Sequence, residues 1–445
     1  MSQPPATATP ADPMTNAPRS VTGIVFLTVF LDIVGFSIIF PLFPEMLDHY
    51  FTQEGADSPL GRLIAWLENF TGGDGNAVHT LFGGLLGSLY GLLQFFFAPI
   101  WGGLSDRIGR RPTLLVTLVG TVFSYLLWGL AGSFWVLVAA RLFGGAMAGN
   151  ISTASAAIAD TTSAKDRAKG MGMVGMAIGL GFILGPALGA IFVGIQLPTG
   201  EGTFAINPFS GAAMASMVLA IINLLWVAKR FPETLPPEKR GEAHKRSRNP
   251  FAGLRELDVE GLPRTNLLYF LYLTAFAAVE FTLTFLAAER LDYGHGDLAI
   301  MFVFVGFIIA GIQGGAVRKL APKHGERKLA RFGLMLTVPA FAIIGAAQST
   351  AVLYTGLACM AVGSAFVMPC LSALVSRYSP AERQGLALGT FRSMGSLSRA
   401  VGPVIGAALY WKFGSVSPYW IGAGFLLLPI GMAMTLPAPP ETQDA

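Results

Sequence analysis

Hydrophobic residues in this chain come in long unbroken runs, separated by short polar or basic segments. The runs fall near 21–44, 79–100, 112–132, 135–158, 169–195, 210–228, 264–288, 298–317, 329–347, 351–376, 385–411 and 416–436. Each approaches the roughly 20 residues that an α-helix needs to cross about 30 Å of hydrocarbon. The pattern therefore predicts an all-α membrane protein of twelve spans. A different pattern interrupts it at 45–78. There Leu60, Leu63, Ile64 and Leu67 follow helical spacing, with Trp66 and Phe70 beside them. This predicts a short amphipathic helix on the outer surface, either packed there or acting as a lid over the outer opening.

Basic residues test the count. If the even loops and both termini are cytoplasmic, that side holds 24 lysines and arginines: the 30 in the chain less Arg62, Arg290 and Lys412 outside and Arg141, Arg392 and Arg399 within spans. Such a bias is what the positive-inside rule requires, and an odd number of spans would scramble it. The first twenty residues lack periodicity and read as a disordered tail. They show no small-residue cleavage site, so the first apolar run is expected to serve as an uncleaved insertion signal. The domain reading is a tail (1–20), a first bundle (21–228), a cytoplasmic linker (229–263), a second bundle (264–436) and a C-terminal tail (437–445).

Composition agrees with a membrane protein. The chain is 53% hydrophobic and only 13% charged, against about a quarter charged in soluble domains. Cys359 and Cys370 lie in one apolar run, about 16 Å apart if helical, too far for a disulfide. No zinc or redox spacing occurs. No phosphate-binding loop appears, so an enzyme or an ATP-driven pump is not expected. The basic run His244–Arg248 lacks interleaved aromatics. It is expected to set topology and touch anionic lipid rather than nucleic acid.

The chain also repeats itself. Gly172, Gly185-Pro186 and Gly189 match Gly389, Gly402-Pro403 and Gly406 at one offset, 217 residues (402 less 185). A six-span half thus occurs twice in parallel, the arrangement in which a substrate path lies at the interface of the halves. Small-residue pairs such as Gly145/Gly149, Gly175/Gly179 and Gly402/Gly406 allow backbones to pack closely.

Ionisable residues inside spans are costly unless they face a cavity or a partner. Asp32 lies near the midplane of the first span. Burial favours its protonated form and a nearby cation its ionised form, so it is a candidate proton carrier. Arg141 stays charged and is expected to pair with Asp32. Glu280, with Thr284 on its face, is a second proton site or a substrate contact. Arg392 and Arg399, two turns apart, could neutralise Glu280 or hold an anionic substrate, unless Arg392 snorkels to the cytoplasmic interface. Phe36, Tyr90, Phe281 and Phe391 are candidate cavity walls.

One loop is more specific than any of these. Gly102-Gly103-Leu104-Ser105-Asp106-Arg107-Ile108-Gly109-Arg110-Arg111-Pro112 joins the second and third spans. Its glycines permit a sharp turn, and Asp106 can pair with the arginines or cap the next helix. At Gly102, Leu104, Asp106, Arg107, Gly109, Arg110 and Arg111 it resembles the signature loop of the major facilitator superfamily, where it latches a transporter's halves. The resemblance implies that family's fold, twelve helices in two pseudo-symmetric six-helix bundles.

The stretch Gly179–Gly189, with Gly181, Gly185, Pro186 and Gly189, resembles the fifth-helix motif of the family's antiporters. Leu31–Pro44 resembles the first helix of drug–proton antiporters. Together these stretches resemble the tetracycline-transporter-like branch, with its animal members nearest, a branch associated with export of drugs and organic anions. The resemblance implies a proton-coupled antiporter that exports amphiphilic drugs or organic anions by alternating access, with no cofactor beyond the proton gradient. Its partners would be a small-molecule substrate, protons and lipid, and it would work as a monomer in a bacterial-type inner or plasma membrane with both termini cytoplasmic. A proton-coupled importer of a metabolite and a non-transporting scaffold or receptor are the rival readings.

Overall fold

The computed structural model describes residues 18–71, 75–162, 164–193, 195, 197–240, 259–380 and 384–439. Residues 1–17, 440–445 and the basic run His244–Arg248 lie outside them, so the expectations for the tails and most of the linker do.

Among the described residues the regular structure is helical, apart from one isolated bridge between Ala131 and Phe204. In hydrocarbon every backbone N–H and C=O needs a partner within the protein, and a helix supplies it locally. The first half comprises α1 (Pro18–Ser37), α2 (Phe43–Glu54), α3 (Pro59–Thr71), α4 (Gly75–Ile108), α5 (Arg110–Gly129), α6 (Phe134–Met147), α7 (Asn150–Thr161), α8 (Ala164–Val193) and α9 (Ser210–Arg230). The second comprises α10 (Leu262–Leu291), α11 (His295–Gly311), α12 (Arg318–His324), α13 (Glu326–Gly345), α14 (Thr350–Tyr378), α15 (Gln384–Phe413), α16 (Ser417–Phe425) and α17 (Leu427–Met434). Among the described residues, eleven segments are long and apolar enough to cross a membrane. The remaining predicted span is α15, a 30-residue helix carrying Arg392, Arg399 and Lys412. It packs against α4 of one half and α10 of the other. Phe307, Ile300, Ile191 and Leu427 point outward and exposed, as lipid-facing side chains do.

Four predicted spans are interrupted. The first breaks after Ser37, where a turn and a 3-10 segment (Phe40–Leu42) precede α2. The fourth breaks at Ala148-Gly149 between α6 and α7. The indole N–H of Trp101 donates to the carbonyl of Ala146 at the break (2.6 Å), satisfying a group the broken helix leaves free. A side chain at Gly149 would collide with that indole. The eighth widens into a π-helix at Ile312–Val317 between α11 and α12. The twelfth breaks between α16 and α17 at Leu426.

The 45–78 segment differs from the expected single helix. It holds two helices, α2 and α3. Leu60, Ile64 and Leu67 of α3 are buried and Trp66 is 61% exposed. The Tyr50 hydroxyl donates to the carbonyl of Ala131 (2.6 Å), and the Glu54 carboxylate accepts from the N–H of Phe134 (2.6 Å) at the start of α6. These contacts fix the hairpin to the outer end of the first half. α2 also buries Phe43, Met46 and Tyr50 in the core of the first half, and the polar anchors add to that packing.

Glycine contacts confirm the repeat in three dimensions. A methyl at Gly185 would meet the carbonyl of Val34 at 2.6 Å, and one at Gly402 that of Thr274 at 2.9 Å. Gly189 similarly meets Ile38 and Gly406 meets Ala278. So α8 crosses α1 as α15 crosses α10, through backbone approaches only glycine permits. The same register sets Tyr272 in the place of Asp32 and Phe40 in the place of Glu280.

Candidate functional site

A cavity with about 80 Å³ of free space lies between the halves. The first half contributes Gly175, Gly179 and Phe182 from α8; the rest of the lining comes from α10, α11, α14, α15 and the π-segment. Its walls are apolar and aromatic, including Phe182, Phe276 and Phe302. Its polar groups are few: Glu280, Arg399, Gln313, Ser364 and Tyr272. This is the composition of a small-molecule site, an apolar enclosure with a few orienting polar groups. Gln313 reaches it because the π-helix rotates that turn, an irregularity that recurs at functional sites.

Glu280 and Arg399 both line the cavity and are half-buried. Arg399 is the cation whose charge acts on Glu280, although no direct ion pair joins them among the described residues. The guanidinium carbon of Arg399 instead stands 3.7 Å from the centroid of the Phe182 ring. Arg392, two turns earlier on α15, does not line the cavity. Its charge acts on Tyr269, whose ring stacks on Phe391 at 3.9 Å.

Asp32 lies elsewhere, inside the first half. Its carboxylate accepts a hydrogen bond from the amide of Asn150 (2.9 Å), and the Thr117 hydroxyl donates to the Asn150 carbonyl oxygen. The break before α7 is what places Asn150, its first residue, against α1. The expected Arg141–Asp32 pair is not formed. Arg141 is buried between aromatic faces, 5.8 Å from the centroid of Tyr90 and 5.4 Å from that of Trp128. Cation–π attraction is the contact that offsets its desolvation. Helical spacing located both groups but could not show that Arg141 turns to Tyr90 and Trp128 and Asp32 to Asn150.

The expected cavity aromatics are also reassigned. Phe36 and Tyr90 stack on each other at 4.2 Å, and Phe281 meets Phe43 at 6.4 Å. None of Phe36, Tyr90, Phe281 and Phe391 lines the cavity, whereas Phe182, Phe276 and Phe302 do. Which face of a helix looks inward depends on its rotation, and an all-apolar span carries no signal for that.

The signature loop is a buried ionic lock. Arg110 is held by Asp106, by the Ser105 hydroxyl (2.7 Å) and by Asp160 at the end of α7 (2.8 Å). Asp106 thus pairs with Arg110. The start of α5 is capped from a distance by Glu233, whose carboxylate accepts from the N–H groups of Arg110 (2.9 Å) and Arg111 (3.2 Å). Gly109 turns there with φ 109°. Arg111 also donates to the carbonyl of Ala228 (2.6 Å). Sequence reading missed Glu233 because 123 residues separate it from Arg110. Gly102 and Gly109 let helix ends approach; Gly181, Gly185, Pro186 and Gly189 sit at the α1–α8 crossing, away from the cavity. Leu104 and Arg107 complete the loop on the last turn of α4.

Two repeated halves of membrane helices enclosing an apolar cavity with a few interior charges define a membrane carrier. The sequence pattern of the Major Facilitator Superfamily matches residues 25–323 and 316–445. The chain belongs to this superfamily and is a transport protein. It is 35% identical to major facilitator superfamily domain-containing protein 10 of Bos taurus over 98% of both chains. The crystal structure of the human organic anion transporter MFSD10 (TETRAN) superposes with a TM-score of 0.78, at 35% identity, covering 94% of this chain and all of that one. Tetracycline resistance protein, class B, of Escherichia coli is 27% identical over 96% of the chain.

These relatives correct two expectations. Identity to the organic anion transporter exceeds that to the tetracycline resistance proteins, which overturns the assignment to the drug–proton antiporter branch. The solved relative is a human protein, which overturns the expected bacterial-type membrane and leaves an integral membrane protein.

Proposed function

We propose that the chain carries amphiphilic organic anions across the membrane by alternating access, in exchange for protons. The observation that most supports this is Arg399, a permanent cation facing an apolar, aromatic cavity between the halves. A guanidinium there suits a carboxylate or sulfonate, and the surrounding rings and methionines suit an apolar body. The human relative is an organic anion transporter, which supports the same reading. Glu280 opposes the anion while ionised and admits it when protonated, so substrate and proton would influence each other through Arg399. Asp32 is a second proton-binding group, set apart in the first half. Arg141 and Arg392 set the interior potential around these two groups.

The test is transport of radiolabelled 1-naphthoate, with 1-naphthamide as the uncharged control, by purified protein in liposomes. Accumulation of naphthoate in inside-acid vesicles is the expected result of exchange. Accumulation only in outside-acid vesicles would identify a symporter instead. Equal uptake of both probes, unaffected by Arg399→Gln, would remove the anion reading.

A further inference from the structure

The ring that faces Arg399 belongs to the other half of the molecule. Phe182 lies on α8 and Arg399 on α15, and the guanidinium lies against the ring inside the cavity. The two hold equivalent places in the repeat, so their contact falls beside the axis relating the halves. On its other sides Phe182 stacks on Phe40 (6.0 Å, 13° between planes) and meets Phe36 edge-on (5.8 Å). Phe40 continues through Phe43 to Phe281 of the second half. The ring thus joins the interior cation to an aromatic stack that crosses the interface.

We propose that Phe182 is a built-in competitor for the substrate. Its π-face occupies the side of Arg399 that an amphiphilic anion takes, and the anion binds by displacing it. Phe182 is then a specificity-determining residue: only a ligand whose charge outdoes the ring's attraction for the guanidinium gains entry. Displacement would also free Phe182 from Arg399 and break one link between the halves, so ligand entry and loosening of the interface become a single event. This rests on the anion reading of the cavity.

The test is equilibrium binding of 1-naphthoate and 1-naphthamide to purified full-length protein. Phe182→Leu keeps apolar bulk and removes the π-face. It is expected to tighten naphthoate binding about five- to thirty-fold, the range of a desolvated cation–π contact, and to leave naphthamide unchanged. Phe182→Trp, a better π-partner, is expected to weaken naphthoate, so the second variant carries the opposite sign. A mere wall residue would give weaker binding of both probes in Phe182→Leu. Wild-type protein indifferent to naphthoate, or Arg399→Gln binding it equally well, overturns the anion reading and the competitor with it. Arg399-dependent binding that Phe182→Leu fails to tighten overturns the competitor alone.

Discussion

The two halves share a frame and keep their charges in different places. In the first, Asp32, Asn150 and Thr117 form a hydrogen-bonded chain inside the bundle. Carried through the repeat, Asp32 corresponds to Tyr272. The start caps Ser133 and Ser349 align Asn150 with Phe366, and Gly109 and Gly325 align Thr117 with Gly333. The second half thus lacks the chain. It has Glu280 and Arg399, whose counterparts in the first half are Phe40 and Phe182. Each half is aromatic or small where the other is polar. Duplication supplied the crossings, which depend on glycine; the interior chemistry diverged because a span tolerates either a ring or a charge wherever the neighbouring helix supplies a partner.

The loops repeat the lesson with the sign reversed. Gly109 and Gly325 both turn with positive φ before a helix. In the first half the hinge supplies the cation, Arg110, and the end of α7 the anion, Asp160 (2.8 Å). In the second the hinge supplies the anion, Glu326, and the end of α14 the cation, Arg377 (2.7 Å). Sequence comparison sees a degraded motif there, whereas the structure has an ion pair of opposite polarity. The first lock is the more deeply buried: the Arg110 side chain is 6% exposed and that of Arg377 35%.

The largest effect should break the contrast between the polar interiors. If Asp32 is a proton-coupling group, Asp32→Asn abolishes pH-driven accumulation of naphthoate in liposomes and preserves naphthoate binding in detergent. Loss of both together would place Asp32 in the fold rather than in coupling.

The locks come next. Arg110→Ala leaves the buried Asp106 carboxylate and the partly exposed Asp160 without this cation and is expected to cost about 3 kcal/mol. Arg377→Ala breaks a partly solvated pair and should cost about 1 kcal/mol or less. Thermal unfolding of the two variants in one detergent checks the ratio, and equal shifts would mean the halves are latched alike. A smaller loss, about 1 kcal/mol, is expected for Glu233→Gln, which weakens the remote cap on α5; the second half has Glu326 in the first turn of its equivalent helix.

The smallest effect concerns the hairpin that only the first half carries. Burial holds the His49 pKa below its ordinary 6.5 despite a hydrogen bond with Gln53, and its ring packs against Tyr50 and Phe209. A depressed histidine pKa means the unfolded state takes up the proton first, so stability is lost as pH falls below about 6.5. Melting temperature should therefore drop between about pH 7.5 and pH 5, and His49→Gln should lessen the drop. Identical pH profiles would rule out a contribution from this side chain.

The sequence by itself determined the membrane spans, their approximate ends, the repeat and the superfamily, though not the branch within it or the breaks inside spans, because the membrane imposes length and apolarity on every span and glycine marks where backbones touch. It also singled out Asp32, Glu280, Arg141, Arg392 and Arg399, since charge inside an apolar run is conspicuous. Tertiary structure alone decided which of them meet. Arg141 faces rings and not Asp32, Arg399 lies on Phe182, and Glu233 reaches back across the fold to cap α5. The physical reason is that helix rotation and helix breaks aim a side chain, and neither leaves a mark in a run of uniformly apolar residues. Partners supplied by distant segments are fixed only when the helices pack.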